Sequence, residues 1–242
     1  MKSILVAGCM FLGVIASEPL LAEQSPQKPK RAWTSSVELG AVATTGNTEQ
    51  RTVKFRADTA HDGPRFKHTF HADAFRSEQD SVINAEKYYT YYQADYKLND
   101  RNAIFARLSY EDDRFSGFDY QTDITVGFNR VLLLRDNMEL DGDLGAGFRH
   151  SKLDDGTSED EAISRIALKY IWQISESAQF KQLLSVEAGA TSTISRSESS
   201  IQTSIIGSLA MKLAYNVKHQ SNVPVGRKNT DTESSITLVY SF

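Results

Sequence analysis

From Trp33 to Phe242 the chain repeats one theme, a segment of about ten residues in which apolar and polar positions alternate, followed by turn chemistry. A period of two sends successive side chains to opposite faces of a strand. The last segment shows it best: Ile236, Leu238, Tyr240 and the terminal Phe242 alternate with Ser235, Thr237, Val239 and Ser241. Met138, Leu140, Leu144, Ala146 and Phe148 likewise oppose Glu139, Asp141, Asp143 and Arg149, and Ile104, Ala106, Leu108 and Tyr110 oppose Arg107, Ser109 and Glu111. The pattern predicts about twelve strands, near residues 33–44, 50–61, 65–77, 86–98, 102–113, 120–132, 137–151, 162–174, 178–190, 198–206, 209–219 and 232–242.

The predicted connections alternate between tight and long. Asp62-Gly63-Pro64, Asn99-Asp100, Arg135-Asp136-Asn137, Glu176-Ser177 and Gly207-Ser208 are short polar turns. Longer loops are expected at 44–49, 78–85, 115–119, 152–161, 191–197 and 220–231. Bacterial outer-membrane barrels join their strands by short periplasmic turns and longer outer loops. A soluble β-sandwich gives the same alternation in any single strand, so the amino-terminus matters. Residues 1–22 carry one early base, Lys2, an uncharged apolar stretch and Leu20-Leu21-Ala22 as a cleavage site, which reads as a secretory signal peptide. Val6-Ala7-Gly8-Cys9 resembles a lipobox, but few residues precede the cysteine to form an apolar core. Residues 23–32, with Gln24 to Arg31 basic and proline-containing, read as a periplasmic lead-in to a barrel over 33–242. Aromatic residues near predicted strand ends, among them Phe66, Tyr88, Tyr92, Tyr110, Tyr120, Phe148, Trp172, Phe180 and Tyr240, suit interfacial girdles. The expected fold class is an all-β transmembrane antiparallel barrel.

Cys9 is the only cysteine, so the processed chain has no thiol chemistry. The net charge of −4 offers no basal attraction for nucleic acid. The expected partners are therefore outer-membrane lipids and lipopolysaccharide, the barrel-assembly machinery and periplasmic chaperones, in the bacterial outer membrane.

Four stretches, Gly40 to Glu49 (GAVATTGNTE), Ala106 to Tyr120 (ARLSYEDDRFSGFDY), Leu144 to His150 (LGAGFRH) and Val223 to Phe242, resemble the YdiY-like family. Its members are often called salt-induced outer-membrane proteins. The resemblance covers nearly the whole processed chain and implies an outer-membrane barrel; it carries over no functional residues and no cofactor.

The polar faces bear both signs, ten bases (Lys54, Arg56, Lys67, Arg107, Arg149, Arg165, Lys169, Lys181, Lys212, Lys218) and ten acids (Glu38, Asp58, Asp73, Asp95, Glu111, Asp123, Glu139, Asp141, Asp143, Glu187). Two readings follow: a lumen closed by cross-strand ion pairs, as a structural or stress-related envelope barrel would have, or a narrow water-filled channel for ions or small polar solutes. The candidate lumen-lining residues are Glu139, Asp141, Asp143, Arg149, Arg107, Glu111, Arg165 and Lys169; Ile236, Leu238, Tyr240 and Phe242 are the candidate assembly signal. The acidic run Asp154 to Glu161 lacks the spacing of a cation-wrapping loop and reads as a solvated charge run. A lipid-modifying enzyme would need a serine paired with a histidine on the apolar face, where only His68 falls, and no such pairing is legible. The chain is expected to have no catalytic role and to bind no cofactor or metal.

Overall fold

The computed structural model describes residues 32–44 and 50–242. The expected signal peptide and most of the expected lead-in lie outside these residues, as does most of the first loop expected at 44–49. Twelve strands follow one another: β1 (Trp33–Thr44), β2 (Gln50–Asp62), β3 (Phe66–Gln79), β4 (Val82–Asn99), β5 (Asn102–Asp113), β6 (Phe118–Arg135), β7 (Met138–Leu153), β8 (Ser158–Gln173), β9 (Ala178–Gly189), β10 (Thr193–Ile206), β11 (Leu209–Gln220) and β12 (Thr230–Ser241). Each pairs antiparallel with its sequence neighbour, and β12 returns to β1, with Val37 opposite Tyr240 and Leu39 opposite Leu238, to close the sheet into a barrel. Ser35 and the terminal Phe242 exchange two backbone hydrogen bonds of 3.1 and 2.9 Å at this seam. Closure leaves no sheet edge unpaired, the condition for strands to sit in hydrocarbon.

The faces are inverted relative to a soluble protein. Leu144, Phe148, Leu108, Ile124, Val126, Ile236 and Leu238 are exposed on the outside, while Glu38, Lys54, Arg56, Arg107, Glu111, Arg149, Arg165 and Lys212 are buried within. At the end of the barrel carrying the short turns, Trp33, His61, His68 and Phe66 form a chain of ring contacts with centroids 4.5 to 6.3 Å apart, and His68 Nδ1 lies 2.6 Å from the Tyr92 hydroxyl. At the other end Tyr110 stacks on Tyr120, which meets His150. Tyr and His present an apolar ring and a polar tip, which suits the rims of an apolar belt.

Apolar residues also point inward, among them Phe105, Ile163, Ile194 and Val239. Phe105 lies over backbone bared by glycine: a Cβ at Gly127 would sit 2.8 Å from its ring, and one at Gly145 2.9 Å. Glycine at these paired positions is therefore required by the ring above them.

The expected difference in loop length is largely absent. The loop expected over 78–85 is a two-residue turn, Asp80-Ser81, whose φ angles of 50° and 63° are those a tight hairpin of two left-handed residues needs. The loops expected at 152–161 and 191–197 shrink because β8 begins at Ser158 and β10 at Thr193. Only the 221–229 connection remains long among the described residues. Inward charged residues found ion-pair partners and stayed in the ladder, so polarity that reads as loop chemistry belongs to strands.

Candidate functional site

Alternation aims the inward side chains of β4, β5, β8, β9, β10 and β11 at one another across the lumen. Near the end bearing the 221–229 connection, hereafter the loop end, they meet. Glu111 on β5 accepts from Arg196 on β10 at 2.5 Å and from Lys218 on β11 at 2.6 Å, and has Lys87 on β4 at 3.3 Å. Four strands, β6 to β9, lie between β5 and β10 around the wall, so these contacts join opposite sides of the barrel. The Glu111 side chain is only 4% exposed. Arg196 continues to Glu187 at 2.7 Å, and Glu187 also takes the guanidinium of Arg165.

A second cluster joins β1, β2, β3, β10 and β11. Arg56 reaches Glu198 at 2.8 Å and Asp73 at 3.1 Å, and Lys212 reaches Glu38 at 3.0 Å and Glu198 at 3.1 Å. Lys54 pairs with Glu233 beside it. In a third, Arg149 is wholly buried, with 0% of its side chain exposed. Its Nε donates to Asp123 at 2.9 Å and an Nη to Glu161 at 3.3 Å, while Glu161 accepts the Thr191 amide at 2.8 Å. Shared carboxylates of this kind satisfy each buried base, and removing one partner strands the others.

The end bearing the short turns differs. Lys169 lies 3.2 Å from Asp141 and 3.6 Å from Glu139, with 35% of the lysine and 39% of the glutamate side chain exposed. Asp143 accepts from Asn129 at 2.6 Å. The acidic ladder of β7 is thus partly balanced by one base on β8, in contact with solvent.

Among the residues singled out from sequence, Glu139, Asp141 and Lys169 meet directly. Arg107, Glu111 and Arg165 are connected through Tyr89, Arg196 and Glu187, and Arg149 sits apart with Asp123 and Glu161. Sequence reasoning missed Arg196, Glu198, Lys87, Glu161, Tyr89 and Tyr91. For Tyr89 and Tyr91 the signal was available, since they share parity with Lys87, Gln93 and Asp95. The acidic run splits: Asp154 reaches Arg227 at 3.1 Å across the loops, while Glu161 turns inward to Arg149. The Glu111 to Tyr120 stretch splits similarly, with Glu111 in the lumen and Gly117 packed under Pro224 of the 221–229 connection. Beside it, Phe115, Lys218, Gln220, Arg227 and Lys228 line a cavity of about 200 Å³ at the mouth.

A closed antiparallel barrel, apolar outside and ion-paired inside, has the architecture of bacterial outer-membrane channels. The NanC porin overlaps it with a TM-score of 0.51 at 10% identity, over 85% of this chain and 98% of that one. An outer-membrane channel of Pseudomonas putida F1 gives 0.53 at 10% identity, over 87% and 95%. Identities this low show a common fold alone. By sequence the chain belongs to the protein family of unknown function DUF481, which matches residues 37–242. The uncharacterized protein YdiY of Escherichia coli K12 is 26% identical over 98% of this chain and 96% of its own length.

Proposed function

We propose that the protein is an outer-membrane barrel with a narrow channel for ions or small polar solutes, shut in this conformation at its extracellular half and open as a vestibule toward the periplasm. The orientation follows from the 221–229 connection, the long one among the described residues, since the longer loops of bacterial barrels face outward. Outer-membrane lipids contact the apolar belt, with lipopolysaccharide at the loop end. The observation that carries the reading is the Glu111 bridge to Arg196 and Lys218, which spans the lumen with charge instead of apolar packing. Charged groups can separate and rehydrate when a bridge breaks, which gives the constriction a second, open state. With NanC and the Pseudomonas putida channel the barrel shares its fold.

A second reading, a permanently closed structural barrel, is favoured by one observation. Three cations share Glu111, so one carboxylate is held from three strands. Single-channel recording of refolded protein separates the two. The channel reading expects brief, small openings in the wild type and frequent ones in Glu111→Gln, whose three bases repel once the carboxylate is gone. Background conductance in both, with each correctly folded, would overturn it and leave the closed barrel.

A further inference from the structure

Below the Glu111 bridge three guanidinium groups converge from opposite walls: Arg107 on β5, Arg165 on β8 and Arg196 on β10. Their carboxylate supply falls short. Glu187 is shared by Arg165 and Arg196, and Glu111 by Arg196, Lys87 and Lys218. Arg107 has no carboxylate in ion-pair range among the described residues, although it is only 8% exposed. Its Nη atoms donate to the Tyr89 hydroxyl at 2.8 Å and to Gln93 Oε1 at 3.4 Å, and its guanidinium lies 3.6 Å over the Tyr91 ring. Arg165, 7% exposed, has a buried Nε with no hydrogen-bond partner among the described residues. The positive charges of Arg107 and Arg196 also act directly on Arg165.

Like charges gathered in a low-dielectric space, one without a counter-ion and one with an orphaned donor, are unfavourable unless something completes them. Of the other nearby acids, Asp123 is paired with Arg149, while Asp143, held by the neutral Asn129, lies outside ion-pair range of the three guanidinium groups and offsets them only from a distance. What fits is an oxyanion, because guanidinium forks match the oxygens of carboxylate and phosphate. Tyr89 and Tyr91 add ring surface beside the guanidinium groups, with Arg196 5.4 Å over the Tyr89 ring. At the loop end, Lys218, Arg227 and Lys228 line the mouth cavity together with Asp231.

We propose that Arg107, Arg165 and Arg196, walled by Tyr89 and Tyr91, form a binding site in the lumen for the carboxylate or phosphate group of a small polar solute. The site deepens the channel reading, since it names the substrate class of the proposed path. Its binding is nonetheless measurable without transport.

The test is calorimetric titration of refolded protein in detergent with glucuronate, with inorganic phosphate, and with uncharged glucose as the control. Saturable binding of one or both anions, with none of glucose, is expected, and the stronger of the two tells which oxyanion the site favours. Arg107→Gln and Arg165→Gln should each weaken that binding by about tenfold or more, the loss of a charge-assisted contact. Arg107→Gln strands no carboxylate, so it keeps the test valid if Arg165→Gln does not fold. Heat-modifiable migration reports folding of each variant. No saturable anion binding, or equal affinity in wild type and Arg107→Gln, would overturn the site. Binding without conductance would uphold the site while removing the channel reading; conductance without anion binding would do the reverse.

Discussion

The two ends of the lumen are built from the same residue types and behave differently. At the loop end Arg149 and Glu111 are almost wholly buried, and Glu111 is shared by bases from strands that face it across the barrel. At the turn end Lys169 and Glu139 keep about a third of their surface in water, and their contacts run between adjacent strands. The difference is reach and number rather than sign. Long bases on β10 and β11 oppose a glutamate on β5 at the loop end, whereas the inward faces toward the turns include small residues such as Ala103 and Ala210. Charge alone does not close a lumen; charge that finds its partner on the far wall does.

The largest effect separating the two ends is expected from deleting a base in each. Arg149→Met strands Asp123 and Glu161 in the interior and should cost about 3 to 5 kcal/mol of folding stability in lipid vesicles. Lys169→Met removes a half-exposed base and should cost about 1 kcal/mol or less by the same urea titration. Equal losses would mean that the turn end is as closed as the loop end.

A smaller effect sharpens the distinction between inside and outside. Leu144→Arg or Leu108→Arg places a cation on the apolar belt and should cost about 2 to 4 kcal/mol in bilayer folding. Arginine at Gln179, inward and near the turns, should cost about 1 kcal/mol or less if water reaches that height.

Smaller again is the expected effect at the Phe105 platform. Gly145→Ala brings a Cβ to within 2.9 Å of the ring and 2.7 Å of the Val126 carbonyl. A loss of about 1 to 3 kcal/mol in the same titration is expected from such overpacking. The least stability change should follow deletion of Phe242, whose effect is expected in the yield of assembled, heat-modifiable barrel recovered from membranes. Unchanged yield after loss of both Phe242 and Tyr240 would remove these residues as an assembly signal.

The strands were legible where both faces spoke. On β7, Leu144 and Phe148 against Asp143 and Arg149 fix the period and the face at once. On β10 the outer face begins Thr193, Ser195, Ser197 and Ser199, so no apolar period marks its first half. As far as Ser197 that stretch reads as a loop, and Arg196 is lost with it; Glu198 falls in the predicted strand but was not singled out among its inward charges. The pairing of Glu111 with Arg196 was beyond sequence reasoning for a further reason. Register between neighbouring strands fixes partners along the wall, but a contact between β5 and β10 depends on closure and tilt of the whole barrel.

The central claim, a lumen shut at the loop end and open at the turn end, is tested most directly by thiol accessibility. Cys9 is the only cysteine and lies in the expected signal peptide, so an introduced cysteine in the processed chain is unique. Refolded Gln179→Cys, facing the turn end, and Ser151→Cys, buried at the height of Glu111, are exposed to a charged, membrane-impermeant thiol reagent in detergent, where both mouths are free. Rapid labelling of Gln179→Cys is expected, with Ser151→Cys labelled far more slowly until Glu111→Gln is added. Rapid labelling of both with Glu111 intact would contradict the account.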